Sequence, residues 1–274
     1  MREHIEFIQA QCLPWQDAAP LGAPGARLKL LSLDQADRSF SCVLALPPGF
    51  ARRASAHDFD EEIFVLDGDL SVGDSKLGEN VYAFCAAGGA EGAWMTRGGA
   101  NLLYFRSGIV DAAQRAPQAV SRRSTPPVAL ADTVWDGDFE KLGLGALQAG
   151  ARMKILREDP FSGETTYVSA SIAFRRGVRS ERHPIVQEFF MLAGELDSEY
   201  GVMRAGAYCF RPPMFKHGPY ASTTGAVILF RGLGGRQETI WEDAAGVRLD
   251  APHAPILPER LRGCGAPVAR APRY

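Results

Sequence analysis

The sequence lacks the features that would commit it to a membrane, a thiolate metal site or a disulfide scaffold. Its five cysteines (Cys12, Cys42, Cys85, Cys209 and Cys264) are an odd number, and no two stand in CxxC spacing. That argues against a thiolate zinc site and a disulfide framework, so a reducing cytoplasm is the expected location. No uninterrupted apolar run approaches the ~20 residues needed to cross a bilayer. The opening Met1-Arg2-Glu3-His4-Ile5-Glu6 carries two acids before any apolar stretch and does not read as a secretory leader. The net charge of −2 gives no electrostatic reason for nucleic acid or an anionic membrane as partner. A small-molecule substrate or ligand is expected instead, and a homodimer is allowed. There is no GxSxG elbow, no P-loop, no GxGxxG after a strand and no HExxH, so the common hydrolase, nucleotide and metalloprotease signatures are all missing.

Few apolar stretches keep a helical period for three turns. With 29 glycines and 18 prolines, the chain is cut into short runs. Ser41–Leu46, Ile63–Leu66, Leu102–Phe105, Tyr167–Ile172, Phe189–Leu192 and Val227–Phe230 have strand length and are bounded by turn residues. An all-β chain of many short strands implies sandwiches or barrels. At 274 residues, 46% hydrophobic and 23% charged, it is a globular chain long enough for two cores.

The chain also repeats itself. Gly25–Asp34, GARLKLLSLD, recurs as GARMKILRED at Gly150–Asp159, an offset of 125 residues that soon becomes 126 and stays there. At that offset His57 pairs with His183, Glu62 with Glu188, Phe64 with Phe190 and Gly68 with Gly194. Tyr82 then pairs with Tyr208, Phe84 with Phe210, Gly99 with Gly225 and Leu103 with Leu229. One register held over about fifty residues, matching glycines, aromatics and ionisable groups together, marks two copies of one β unit. The expected division is 1–110 for the first barrel, 111–132 for a linker, 133–235 for the second barrel and 236–274 for a proline-rich tail. Pro126-Pro127 disfavours a helix in the linker.

In the second copy, His183 is followed after four residues by Glu188, and His217 stands 29 residues beyond that glutamate, after an Arg-Pro-Pro turn. Imidazole and carboxylate donors that converge from different strands can surround one ion, provided each sits on the inward parity of its strand. Both halves resemble cupin barrels, and more closely the cupin domain of ChrR-type anti-sigma factors. The likeness rests on Trp15, Lys29, Glu61-Glu62-Ile63-Phe64-Val65-Leu66-Asp67-Gly68, Gly206-Ala207-Tyr208, Pro212-Pro213 and His217. It implies two tandem cupin barrels (double-stranded β-helix, jelly-roll), with His183 as the second histidine of the first family motif and His217 as the histidine of the second. Glu181 replaces the motif's first histidine, which leaves it as a fourth ligand or a general base, and Gln187 competes with Glu188 for the carboxylate position.

The resemblance thus implies one divalent ion on His183, Glu188 and His217, with Fe(II) favoured and manganese, nickel or zinc also suited. Phe190, Tyr208, Phe210 and Arg211 are the candidate lining of a substrate pocket, although such aromatics also serve as plain barrel core. Arg231 stands beside them as a candidate for a substrate carboxylate, and His4 and His253 receive no role. The first barrel offers a weaker set, His57, Glu62 and Glu91, which serves equally as an ion pair in a barrel without metal; Asp58, Asp60, Glu61 and Glu62 also read as a solvated loop face. A dioxygenase-like enzyme acting on a small chelating keto or hydroxy acid or a diketone is one expectation. A ChrR-like sensing or binding protein is the other. In the anti-sigma arrangement a helical domain precedes the cupin, and the second barrel found in its place here moves the expectation towards an enzyme.

Overall fold

In the computed structural model, which describes residues 2–133, 135, 142–145, 149–244 and 252–268, most of the regular secondary structure is antiparallel strand. The backbone forms two units. One consists of Leu13–Thr133 with the first two residues; the other joins Glu3–Cys12 to the chain from Val134 onward.

In the first unit a seven-stranded sheet runs, from one edge to the other, through Thr125–Ala129, Val81–Cys85, Phe59–Gly68, Ala100–Ile109, Phe40–Leu46, Arg27–Leu33 and Gln16–Asp17. A four-stranded sheet faces its core, which includes Phe40, Leu44, Val65, Leu70, Trp94 and Leu102. The second unit repeats the central part of this order. Ala207–Arg211, Val186–Ser198, Ala226–Leu233, Thr165–Ser171 and Ala151–Glu158 follow one another in its main sheet.

The repeat extends to the register. Tyr82 lies opposite Phe64 and Phe84 opposite Glu62; Tyr208 lies opposite Phe190 and Phe210 opposite Glu188. Gly68 and Gly194 both have positive φ, +81° and +78°, in a region open mainly to glycine. A Cβ at either would fall 2.3 and 2.0 Å from the carbonyl oxygens of Gly99 and Gly225. The same close backbone approach therefore demands glycine in both units.

Three parts of the expected division are corrected. Residues 111–132 are folded, not a bare linker: Pro117–Arg123 is helical, and Thr125–Ala129 pairs with Val81–Cys85 as an edge strand. Pro117 begins that helix, where its missing N–H costs nothing, and Pro126-Pro127 sit on the edge strand, where few ladder donors are needed. The first ten or so residues also depart from 1–110, because Ile5–Gln9 pairs with Ala207–Arg211 of the second unit. The tail contributes Ile240–Asp243, which pairs with Arg179–Arg182. Each unit thus takes an edge strand from the segment that precedes the other in sequence.

Candidate metal centre

Glu181 lies on the short strand Arg179–Arg182, and two reciprocal backbone hydrogen bonds tie it to His217 (2.9 and 3.0 Å). His183 follows two residues later, so all three side chains meet at one end of the second barrel. One donor atom from each lies within 4.8 Å of the other two. Two ligands across one ion at ~2.1 Å each are ~4.2 Å apart, so this gathering is close to the span of a single metal site. Among the described residues no other group of three such donors converges.

The imidazoles are 3% and 1% exposed. The Nε2 of each and the Oε2 of Glu181 are buried without a hydrogen-bond partner. Buried polar atoms normally find partners, so an orphan on each of three residues whose donor atoms converge is the observation that fits a cation. His183 Nδ1 is 2.9 Å from the carbonyl oxygen of Glu238, to which it donates, leaving Nε2 with its lone pair. Tyr220 Oη lies 3.1 Å from His217 Nδ1, and Glu181 Oε1 is 3.7 Å from the same nitrogen.

Burial sets the protonation states. It brings His183 down to about 4, with the nearby Arg211 charge acting in the same direction and the Glu238 carbonyl opposing it. Burial, then Arg211 and His183, hold His217 well below the usual imidazole range. Both rings are therefore neutral at pH 7, the form that ligates. Burial pushes the Glu181 carboxyl up to about 7 against the pull of Arg211 and Arg175, so a second positive charge beside it would be welcome.

Of the three donors, Glu181 lines a cavity of about 70 Å³, together with Tyr167, Gln187, Phe189, Arg211, Tyr220 and Phe230 among others. Its lining corrects the expected parity. Along Val186–Ser198 it is Gln187 and Phe189 that face the cavity, so Glu188 and Phe190 face the other way. Glu188, expected as the third ligand, instead accepts from Tyr208 Oη at 2.6 Å and pairs with Arg231. Tyr208 and Phe210 are buried but do not line the cavity. Arg211 does line it, yet its guanidinium already binds Glu6, through Nε at 2.5 Å and also through Nη2, and Gln187 Oε1 through Nη1 at 2.8 Å.

The first unit repeats the positions without the set. Ser55 and Glu91 are paired by backbone as Glu181 and His217 are, but a serine replaces the carboxylate, and the Glu91 side chain is outside the described residues. His57 Nε2 approaches Glu61 (3.5 Å), not Glu62, which accepts from Tyr82 Oη at 2.8 Å. Glu61 is also held by Arg52 (3.2 Å) and Tyr104. The expected solvated acidic face is not one, since Glu61 and Glu62 are 1% and 2% exposed and Asp60 is clamped by Arg123.

Sequence reasoning missed Glu6, Glu238 and Tyr220. The first two lie in segments taken for a barrel start and a loose tail, and no local pattern links them to the site. Tyr220 could have been flagged, since it stands three residues after His217.

Residues 137–235 match the ChrR cupin-like domain, so the chain carries a cupin-family domain in its second unit. No curated protein matches the sequence. Among solved structures, a candidate dioxygenase from Nostoc punctiforme superposes with a TM-score of 0.74 at 19% identity, covering 88% of this chain and 91% of that one. Salicylate 1,2-dioxygenase from Pseudaminobacter salicylatoxidans gives 0.53 at 10% identity, covering 71% and 70%. Bacillus subtilis oxalate decarboxylase, an enzyme with Mn(II) centres, gives 0.53 at 12% identity, covering 87% and 79%. At these identities the likeness is one of fold, and the fold is that of the cupins.

Proposed function

We propose that the second barrel holds one divalent metal ion on Glu181, His183 and His217. The protein would be a mononuclear non-haem metal enzyme of dioxygenase type, acting on a small chelating keto or hydroxy acid or a diketone. The observation that carries this reading is the convergence of one donor atom from each of the three residues within 4.8 Å, on side chains that each also bury a partnerless atom. Two imidazoles and one carboxylate leave coordination positions open, the arrangement associated with Fe(II) oxygenases, and Fe(II) is the ion we favour over manganese, nickel or zinc. When bound, such an ion supplies Lewis acidity and a site for redox chemistry with dioxygen.

The chain's own groups do the rest. The Glu238 carbonyl fixes the His183 tautomer, and Tyr220 steadies His217. Met153, Phe189, Ile228 and Phe230 give the cavity apolar walls. Its size limits the part of a substrate held inside to a few heavy atoms. Glu6 neutralises Arg211, so this guanidinium shapes the cavity without leaving a bare charge in it. We further propose that the repeated registers reflect duplication of one barrel, with 13–133 and 134–235 as the two copies, and that the first copy is structural. The expected setting is cytoplasmic, with a small molecule as the partner.

Metal analysis of the purified protein, followed by oxygen uptake with a panel of diketones and keto acids, tests this reading. Iron with substrate-dependent uptake is expected. A chain that takes up none of iron, manganese, nickel or zinc after reconstitution would sink it. The ChrR-like match over 137–235 favours a second reading, a sensing or binding barrel without turnover. Tightly held zinc and no uptake with any candidate would select that reading.

A further inference from the structure

Gln187 stands in the wall of the cavity that Glu181 also lines, at the position competing for a carboxylate ligand, and has no role in the reading above. Its orientation is set by chemistry. Arg211 can only donate, so the Gln187 atom 2.8 Å from Arg211 Nη1 is the carbonyl oxygen. The amide nitrogen is thereby turned the other way, with its two N–H donors. Arg211 itself cannot swing aside, because Glu6 grips Nε and Nη2, and the guanidinium is 1% exposed. Tyr167, Ser169 and Ser171 line the same wall. With Glu181 committed to the donor trio, the polar wall of the cavity offers hydrogen-bond donors to a ligand.

We propose that Gln187 is a specificity-determining residue of the second barrel: its amide nitrogen donates to a carboxylate oxygen of a ligand bound beside Glu181, His183 and His217. The inference rests on the metal-centre reading and narrows its substrate class, favouring the keto or hydroxy acid over the neutral diketone. An amide N–H donates more strongly to a charged carboxylate oxygen than to the neutral carbonyl of a diketone, which is the difference that separates the two classes.

The test uses the full chain loaded with Co(II), whose visible absorption reports on the occupied site, titrated with acetate as the probe. Gln187→Glu is the informative variant, because its carboxylate still accepts from Arg211 while an acceptor oxygen replaces the amide nitrogen. Gln187→Met removes both polar atoms at similar length and serves if the glutamate variant fails to fold. Both are expected to load cobalt and to weaken acetate binding by about tenfold or more, the loss of a hydrogen bond to a charged group. Wild-type protein that loads cobalt but does not bind acetate overturns the inference, as does acetate affinity unchanged in the variants. The metal centre would survive either result. Wild-type protein that takes up no cobalt overturns the metal centre itself, and this inference with it.

Discussion

Glu181 and Glu188 stand seven residues apart in different surroundings, one among the proposed ligands and one paired with Arg231, so neutralising each in turn is a sharp experiment. Glu188→Gln removes a charge that is 1% exposed and paired with Arg231, itself 8% exposed. Depriving a buried ion pair of one partner costs about 3 kcal/mol at the lower end of what is measured. The glutamine still accepts from Tyr208, which holds the loss near that end. For a domain of this size the melting temperature should fall by roughly 6–12 °C. Metal content should stay near the wild-type level in the protein that remains folded. Glu181→Gln should do the reverse. Its carboxyl, pushed up to about 7 by burial, is a poor anion without a cation beside it, so the metal-free variant should melt no lower than wild type. Its metal content should collapse, because the only carboxylate of the trio is gone. Differential scanning fluorimetry with and without chelator, paired with elemental analysis of gel-filtered protein, reads both effects. Equal metal loss from the two variants, or a stable Glu188→Gln protein stripped of metal, would refute the assignment of parity.

Three further outcomes follow from the same contacts. His217→Ala should remove most bound metal whereas His57→Ala leaves it near wild type, by elemental analysis; equal loss would place a second centre in the first barrel. Burial works against a charge on Glu6, but Arg211 and His4 outweigh it and hold the carboxyl below its usual range. A lowered folded value means this stabilisation is complete above the unfolded value near ~4.3 and is lost as pH falls through the folded one. The urea midpoint of Glu6→Gln should therefore lie well below wild type at pH 7, and the gap should narrow by pH 3; a gap that widens on acidification would contradict this. Asp60→Asn should loosen the helix Pro117–Arg123, which Asp60 grips through Arg123, and limited proteolysis should then cut between residues 111 and 124 while wild type resists.

What the sequence made legible was whatever recurs in it or has a local period. The offset of 126 residues carried Tyr82–Glu62 onto Tyr208–Glu188, and the structure places the same hydrogen bond in both units. His183 and His217 were found because imidazoles are scarce in this chain and two of the five stand in one spacing. Parity was not legible. Along a strand, Gln187 and Glu188 differ only in which face they join, and a one-residue choice exchanges an entire face for the other. Taking the charged residue as the ligand carried Phe190, Tyr208 and Phe210 into the cavity with it, when all three belong to the opposite face. Contacts over long separations were equally out of reach. Glu6 meets Arg211 across 205 residues, and the Glu238 carbonyl meets His183 across 55.

The misread parity also explains why the matching carboxylates of the two units were misleading. Glu62 and Glu188 match in sequence because each accepts a tyrosine hydroxyl at the same place in its sheet, a structural task shared by both units. The metal centre proposed for one barrel alone is marked instead by positions that differ at the offset. Ser55 stands against Glu181, Glu91 against His217 and Glu61 against Gln187, while His57 and His183 alone agree. In the first unit Glu61 is held by Arg52 and Tyr104, and in the second Gln187 is held by Arg211, whose counterpart is Cys85. Repetition therefore locates the scaffold, and divergence at inward positions locates the chemistry. Restoring the set in the first barrel would take at least Ser55→Glu and Glu91→His together. Single exchanges should leave its metal content unchanged, and a single exchange that loads metal would show that the first barrel already holds the remaining ligands.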